Sequence, residues 1–297
     1  MIGITDYLTG IFNDFKNEIN NGRDLCELKG LTFESNFIPD YKNLQIQRLY
    51  LLRYAFSYAF EYSQIYLSAL DLLGCPNKIS VASVGCGNYL DYWALVNAIE
   101  KKHIYCSVHY TGIDQIDWSY KINRRNCDEV YFIKGNAEQL FQDNSIFDSD
   151  VYFFPKSISE FKSDEVNSIA KNFSKKPIKK DKIVLCFSLR ANDHNMESDA
   201  YRTKKIINAF ELNGYNNKTG DKIYCIKENK GIRAYDYDFV YPQEILDYIE
   251  NLDKKCYKYN DMFTNCKEEC KSYLTRKPTM RTDNIVFQII ELERKQR

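Results

Sequence analysis

Val81-Ala82-Ser83-Val84-Gly85-Cys86-Gly87-Asn88-Tyr89-Leu90-Asp91 is the stretch that decides the fold of this 297-residue chain. Its apolar run Ile79–Val84 is short enough for a buried strand. Two glycines then permit a sharp turn and leave no β-carbon in the way of a ligand. The segment from Asp91 to Lys101 has the pattern of a helix, and a helix start offers unpaired N–H groups beside that turn.

On both sides of this stretch the same alternation repeats. Strands are expected at Val108–Ile113, Val130–Ile133, Val151–Phe154 and Ile183–Phe187. Helices are expected at Ser163–Phe173 and Asp199–Leu212, with a helical or irregular piece at Ser119–Arg125. Strand–helix alternation predicts an α/β fold, a mainly parallel sheet covered on both faces. Two late strands, Ile223–Ile226 and Asn284–Ile290, are separated by a long segment with a helix near Gln243–Asn251, read as an insertion over 228–283.

Before the first strand, residues 1–75 read as an N-terminal helical cover, and 76–297 as the main domain. Asn20-Asn21-Gly22 marks a turn between two short amphipathic stretches. A long helix follows from Leu44 to Leu73 and ends at Gly74-Cys75-Pro76. Within it Tyr50, Tyr54, Tyr58, Tyr62 and Tyr66 fall four apart, so they form one aromatic stripe. The stripe either packs the helix against a domain or lines a ligand pocket at its upper end.

In open α/β sheets, ligands bind outside the carboxyl ends of the strands. The second strand there ends in Thr111-Gly112-Ile113-Asp114, whose carboxylate can accept two hydrogen bonds from a ribose diol. The third is followed by Lys134-Gly135-Asn136-Ala137-Glu138, where an Asn amide can pair with a purine edge. A dinucleotide site would need Gly-x-Gly-x-x-Gly and an acid about 20 residues on. Leu90 holds the third glycine position, and Asp114 lies 27 residues past Gly87.

These three motifs, in order at three successive strand ends, resemble the class I S-adenosylmethionine-dependent methyltransferases over roughly residues 79–227 plus the last strand. The resemblance implies a Rossmann-like seven-stranded sheet and S-adenosyl-L-methionine as cofactor. It places Ser83, Gly85, Cys86, Gly87, Asp114, Gln115, Asn136, Ala137 and Phe154 at the cofactor. Arg53 would clamp the methionine carboxylate. Ser83 stands where the family carries an acid, Tyr89 where it carries a third glycine, and Asn136 where it carries Asp. Beyond the fourth strand, Lys156 and Glu160 fall where an acceptor would sit, and His194 lies near the rim as a candidate base. The segment has neither the Asn/Asp-Pro-Pro-Tyr/Phe pattern of amino methylation nor a Pro-Cys pair. Ser157-Ile158-Ser159-Glu160-Phe161 is similar to a stretch of methyltransferase-like proteins associated with the small ribosomal subunit.

Composition bounds the rest. With 41 Lys and Arg against 41 Asp and Glu the chain is no uniformly basic nucleic-acid coat. Residues 1–150 carry 13 basic and 19 acidic side chains, and 151–297 carry 28 and 22. That basic half makes RNA the first expectation as acceptor, reached through Thr275–Arg281 and the lysines from Lys254 to Lys271. A small-molecule acceptor is the alternative, and a non-catalytic binding protein a third reading. No apolar run is long enough to span a bilayer and no basic leader opens the chain, so a cytoplasmic location is expected. The ten cysteines then read as thiols. Cys225, Cys256, Cys266 and Cys270 lack Cys-x-x-Cys spacing, so no metal is assigned to them.

Overall fold

The computed structural model describes residues 3–22, 24–31, 39–141, 148–190, 193–233, 241–256, 258, 271–279 and 281–296. In chain order the elements begin α1 (Ile4–Asn20), α2 (Leu44–Leu72), β1 (Lys78–Val84), α3 (Leu90–Lys101), β2 (Ser107–Asp114) and β3 (Glu129–Lys134). They continue α4 (Ala137–Leu140), β4 (Val151–Pro155), α5 (Ser163–Lys175), β5 (Lys182–Leu189) and α6 (Asp193–Leu212). The chain closes with β6 (Tyr215–Asn217), β7 (Ile223–Arg233), α7 (Gln243–Glu250), α8 (Lys271–Leu274) and β8 (Arg281–Arg294). Two compact units result: residues 1–58, 118–120 and 232–282, and residues 59–117, 121–231 and 283–297. The N-terminal segment and most of the insertion thus share one unit, and the division falls inside α2 instead of at residue 75.

In the first unit, α1 buries Ile4, Leu8, Ile11, Phe12, Phe15 and Ile19, the spacing of one helical face. Phe12 meets Tyr248 of α7 edge-on, with ring centroids 5.3 Å apart. Tyr241 donates to the Leu52 carbonyl at 2.8 Å, and its ring packs on Phe56. Tyr50, Tyr54 and Tyr58 of the stripe lie ring against ring, with Tyr50 also on Trp118.

The second unit is built on a sheet in the order β3-β2-β1-β4-β5-β8-β6, with β7 also paired to β8. β1 pairs in parallel with β2 and β4, and β4 with β5. β8 runs antiparallel to β5, from Lys182↔Glu293 to Leu189↔Val286. A dinucleotide-binding sheet has the order 3-2-1-4-5-6. Here a reversed final strand is inserted beside the fifth, giving a Rossmann-like mixed sheet. The strand order therefore meets the fold expectation.

Side chains alternate across each strand. On one face Tyr152, Phe154, Leu185 and Phe187 meet Val166, Ile169 and Phe173 of α5 and Ile206, Ile207 and Phe210 of α6. Phe173 and Phe210 pack with centroids 4.6 Å apart. On the other face Phe153 stacks on Tyr66 of α2 at 4.8 Å, and Ser63 donates to the Ala94 carbonyl of α3. Both halves of the tyrosine stripe therefore serve as packing. The segment Ser119–Arg125 is irregular.

Candidate cofactor site at the glycine turn

β1 ends at Val84, and the chain reverses through Gly85 at φ +77° and Gly87 at φ +53°. The Gly85 and Cys86 amides both donate to the Ile113 carbonyl of β2, at 2.8 and 3.1 Å. On the other side, Ser157 Oγ donates to the Val84 carbonyl at 2.5 Å. A β-carbon added at Gly85 would lie 2.4 Å from Ser157 Cβ. The glycine is therefore required by the chain's own packing as well as by its φ. At Gly112 a β-carbon would meet Cys86 Sγ at 2.7 Å and Tyr89 Cε1 at 2.9 Å. Gly112 thus makes the room in which the turn's side chains pack.

Tyr89, where the third glycine was expected, adopts φ +68°. Its buried ring sits edge-on to Tyr110 at 5.6 Å and to Phe132 at 6.1 Å. That packing offsets a backbone strain on the order of 1–2 kcal/mol for a non-glycine residue.

Asp114 closes the turn from the end of β2. Its Oδ2 accepts from the Gly87 amide at 2.9 Å and its Oδ1 from the Ile116 amide at 2.8 Å. Burial raises its pKa, and these amides oppose the rise. A carboxylate has about four acceptor positions, so Asp114 keeps acceptor capacity beyond these backbone amides. Asp91, on the first turn of α3, is fully buried. Its Oδ1 accepts from Tyr110 at 2.8 Å and its Oδ2 from Tyr66 at 3.3 Å. Burial, opposed by these hydroxyls, raises its pKa to about 6. Ser83 Oγ on β1 is buried without a hydrogen bond of proper geometry.

Beyond β4 the backbone turns at Lys156, which holds φ +55°. Lys156 Nζ lies 2.6 Å from Glu61 Oε1 of α2 and donates to the Leu189 carbonyl at 2.6 Å. Ser188 Oγ donates to the same Glu61 oxygen at 2.5 Å. Glu61 is only 1% exposed. Glu160 follows, bonded to Arg190 at 2.8 Å. Burial raises the Glu160 pKa against the pull of Arg190, and the Asp114 charge adds to the rise.

The second unit brings together Ser83, Gly85, Cys86, Gly87, Asp114, Lys156 and Glu160. Three of the expected residues have partners of their own in the structure. Phe154 is wholly buried and stacks on Phe187 at 4.9 Å, so it belongs to the core under α5 and α6. Asn136 caps α4, its Oδ1 accepting from the Glu138 amide at 2.8 Å. Arg53 lies in the first unit, buried, its guanidinium donating to the Tyr273 and Leu274 carbonyls. Burial lowers its pKa to about 10. Ala137 is buried beside the Asn136 cap, and Gln115 is exposed next to Asp114.

The side chains of His194, Cys225, Cys266 and Cys270 lie outside the described residues, and Cys256 is buried. Among the described residues no group of three or more His, Cys, Asp or Glu is placed to hold a metal ion. Among them too, no helix is long and apolar enough to cross a membrane.

Glu61 and Asp91 were not read from sequence as site residues. Glu61 had a signal: it is the only charged residue between Arg53 and Asp71. Asp91 had none, because an acid in a first helical turn is ordinary capping chemistry.

No known family profile and no curated protein matches the chain. Three similar solved structures stand for the rest. MNMC2 from Aquifex aeolicus shares 11% identity over 56% of this chain and 53% of its own, at TM-score 0.35. This chain thus spans about half that relative's length. A cyclopropane-fatty-acyl-phospholipid synthase-like protein from Lactobacillus casei shares 11% over 80% and 92%, at TM-score 0.40. The plantazolicin methyltransferase BpumL, solved with a monoazolic desmethylPZN analog and SAH, shares 10% over 95% and 100%, at TM-score 0.41. The fold assignment above stands on this chain's own strand order.

Proposed function

We propose that this chain is an S-adenosylmethionine-dependent methyltransferase. The observation that carries the reading is the glycine turn clasped between Asp114 and Ser157 at the carboxyl edge of a methyltransferase sheet. The residues present fit the cofactor: Asp114 keeps acceptor capacity beyond its backbone amides, and Gly85 and Gly87 bring bare backbone to the same place. When bound there, S-adenosylmethionine supplies an electrophilic methyl on a sulfonium. The chain's own residues bind and orient it: Asp114 takes the ribose hydroxyls, and the Gly85–Gly87 backbone takes the methionyl end. Lys156 and Glu160 face the acceptor side.

The charge of the second half favoured RNA as the acceptor. One feature favours a small molecule instead. The lysine-rich run 175–182 precedes β5, where Lys180 pairs with Asp150 at 2.8 Å and Lys182 with Glu291 at 2.7 Å. That is the amino edge of the parallel strands, opposite the glycine turn. The carboxyl edge pairs its acids with bases, Glu61 with Lys156 and Glu160 with Arg190, and so offers a phosphate backbone no comparable run of lysines. A compact acceptor is therefore the favoured reading, and RNA the second.

Titration calorimetry with S-adenosylmethionine tests the core of this. Wild type is expected to bind, and Asp114→Ala to weaken binding at least tenfold. Absence of binding by the wild-type protein, or equal affinity in the variant, removes the reading.

A further inference from the structure

Glu61, Lys156 and Ser188 form a buried polar cluster at the carboxyl ends of β4 and β5, and we propose that Glu61 is a positioning residue that receives the acceptor's proton through Lys156. The inference rests on the methyltransferase reading of the same site.

Three features concentrate here. Taking a carboxylate and an ammonium out of water is unfavourable unless their geometry is close. The pair meets that condition at 2.6 Å, with Glu61 at 1% exposure. Lys156 is held at φ +55°, a conformation that a lysine adopts only under constraint, and such strain gathers at functional sites. Finally, Ser188 and the Leu189 carbonyl fix the two partners from β5. The pair sits at the carboxyl edge where ligands bind in open sheets, directly after β4, and Ser157 next to Lys156 bonds the Val84 carbonyl at the glycine turn.

A lone pair on the acceptor's oxygen or nitrogen forms a bond to the methyl carbon. The carbon–sulfur bond breaks, and its electrons stay on sulfur as a neutral thioether. The acceptor's proton passes to Lys156 Nζ as Nζ gives one of its own to Glu61 Oε1. The lysine ends as it began, and the carboxyl holds the proton until solvent takes it. The acceptor class is a compact molecule with an ionisable O–H or N–H.

The test uses the full chain with tritiated-methyl S-adenosylmethionine and a desalted small-molecule extract of the source cells at fixed concentration. Glu61→Gln keeps the size and the hydrogen bonds but has no carboxylate to accept a proton. It is expected to lower the maximal transfer rate roughly 100-fold, with the KM and calorimetric affinity for S-adenosylmethionine within twofold of wild type. Glu61→Asp is expected to recover at least a tenth of the wild-type rate. A Gln variant that turns over like wild type overturns the proposal, as does a loss confined to KM. If the Gln variant does not fold, Lys156→Arg decides: it keeps the ion pair but holds its protons too tightly to relay one, so wild-type turnover in it overturns the proposal. Cofactor binding by wild type without transfer to this extract overturns the compact-acceptor assignment, whereas absence of cofactor binding fails the underlying reading itself.

Discussion

At the scale of single residues, Asp91 makes the sharpest statement. Its carboxyl is buried against Tyr66 and Tyr110 with its pKa raised to about 6, above the ordinary 3.8. An acid whose folded pKa is raised is favoured in the fold at low pH. Its contribution falls away as pH climbs from the unfolded value of 3.8 through the folded value of about 6. Asp91→Asn is therefore expected to stabilise the protein at pH 8, by up to about 3 kcal/mol, with the gain vanishing near pH 4. Urea unfolding at the two pH values checks this, and a gain that does not change with pH refutes the assignment. The tyrosine hydroxyls explain why the residue was invisible in sequence. They come from α2 and β2, 25 residues before it and 19 after, and only folding makes them neighbours.

At the scale of elements, the glycine turn is the joint between β1, β2 and the segment after β4. Gly85→Ala introduces a β-carbon 2.4 Å from Ser157 Cβ at a φ of +77°. It is expected to cost at least about 2 kcal/mol in urea unfolding, since strain and overpacking each contribute on the order of 1–3 kcal/mol. Binding of S-adenosylmethionine should weaken in parallel, and unchanged stability would mean that the turn is not clasped as described. On the far face Phe173 of α5 is wholly buried against Phe210, Tyr152 and Phe141. Phe173→Ala should cost about 3–5 kcal/mol, read by the same unfolding, without changing cofactor affinity per folded molecule. Most of these elements were legible because strand and helix periods differ and glycine punctuates them. β6, only three residues long, was not, because it is defined by pairing Tyr215–Asn217 with β8 and by no pattern of its own. α6 begins at Asp193, ahead of the expected Asp199, because a polar first turn carries no apolar signature.

At the scale of the whole molecule, the even balance of charge conceals where the charges lie. The lysines of 175–182 gather at the amino edge of β5, paired with Asp150 and Glu291. Lys179→Glu together with Lys180→Glu is therefore expected to leave transfer to a small-molecule extract within twofold of wild type. If RNA were the acceptor and used this run, transfer would fall steeply and retention on RNA would lose salt dependence. The same scale explains Arg53. The family resemblance gave it the role of a clamp for the methionine carboxylate. Folding instead brings residues 271–279 to it, and its guanidinium holds the carbonyls of Tyr273 and Leu274.

By itself the sequence determined the α/β class, the glycine turn and the acid at Asp114, because backbone freedom, strand period and helix start are local properties of the chain. Tertiary structure decided which polar groups became buried and beside what. It placed the reversed β8 next to β5, set Asn136 as a cap and Phe154 in the core, and joined Glu61 to Lys156 across 95 residues. Those outcomes depend on long-range packing and on the desolvation that packing imposes, and no local pattern encodes either.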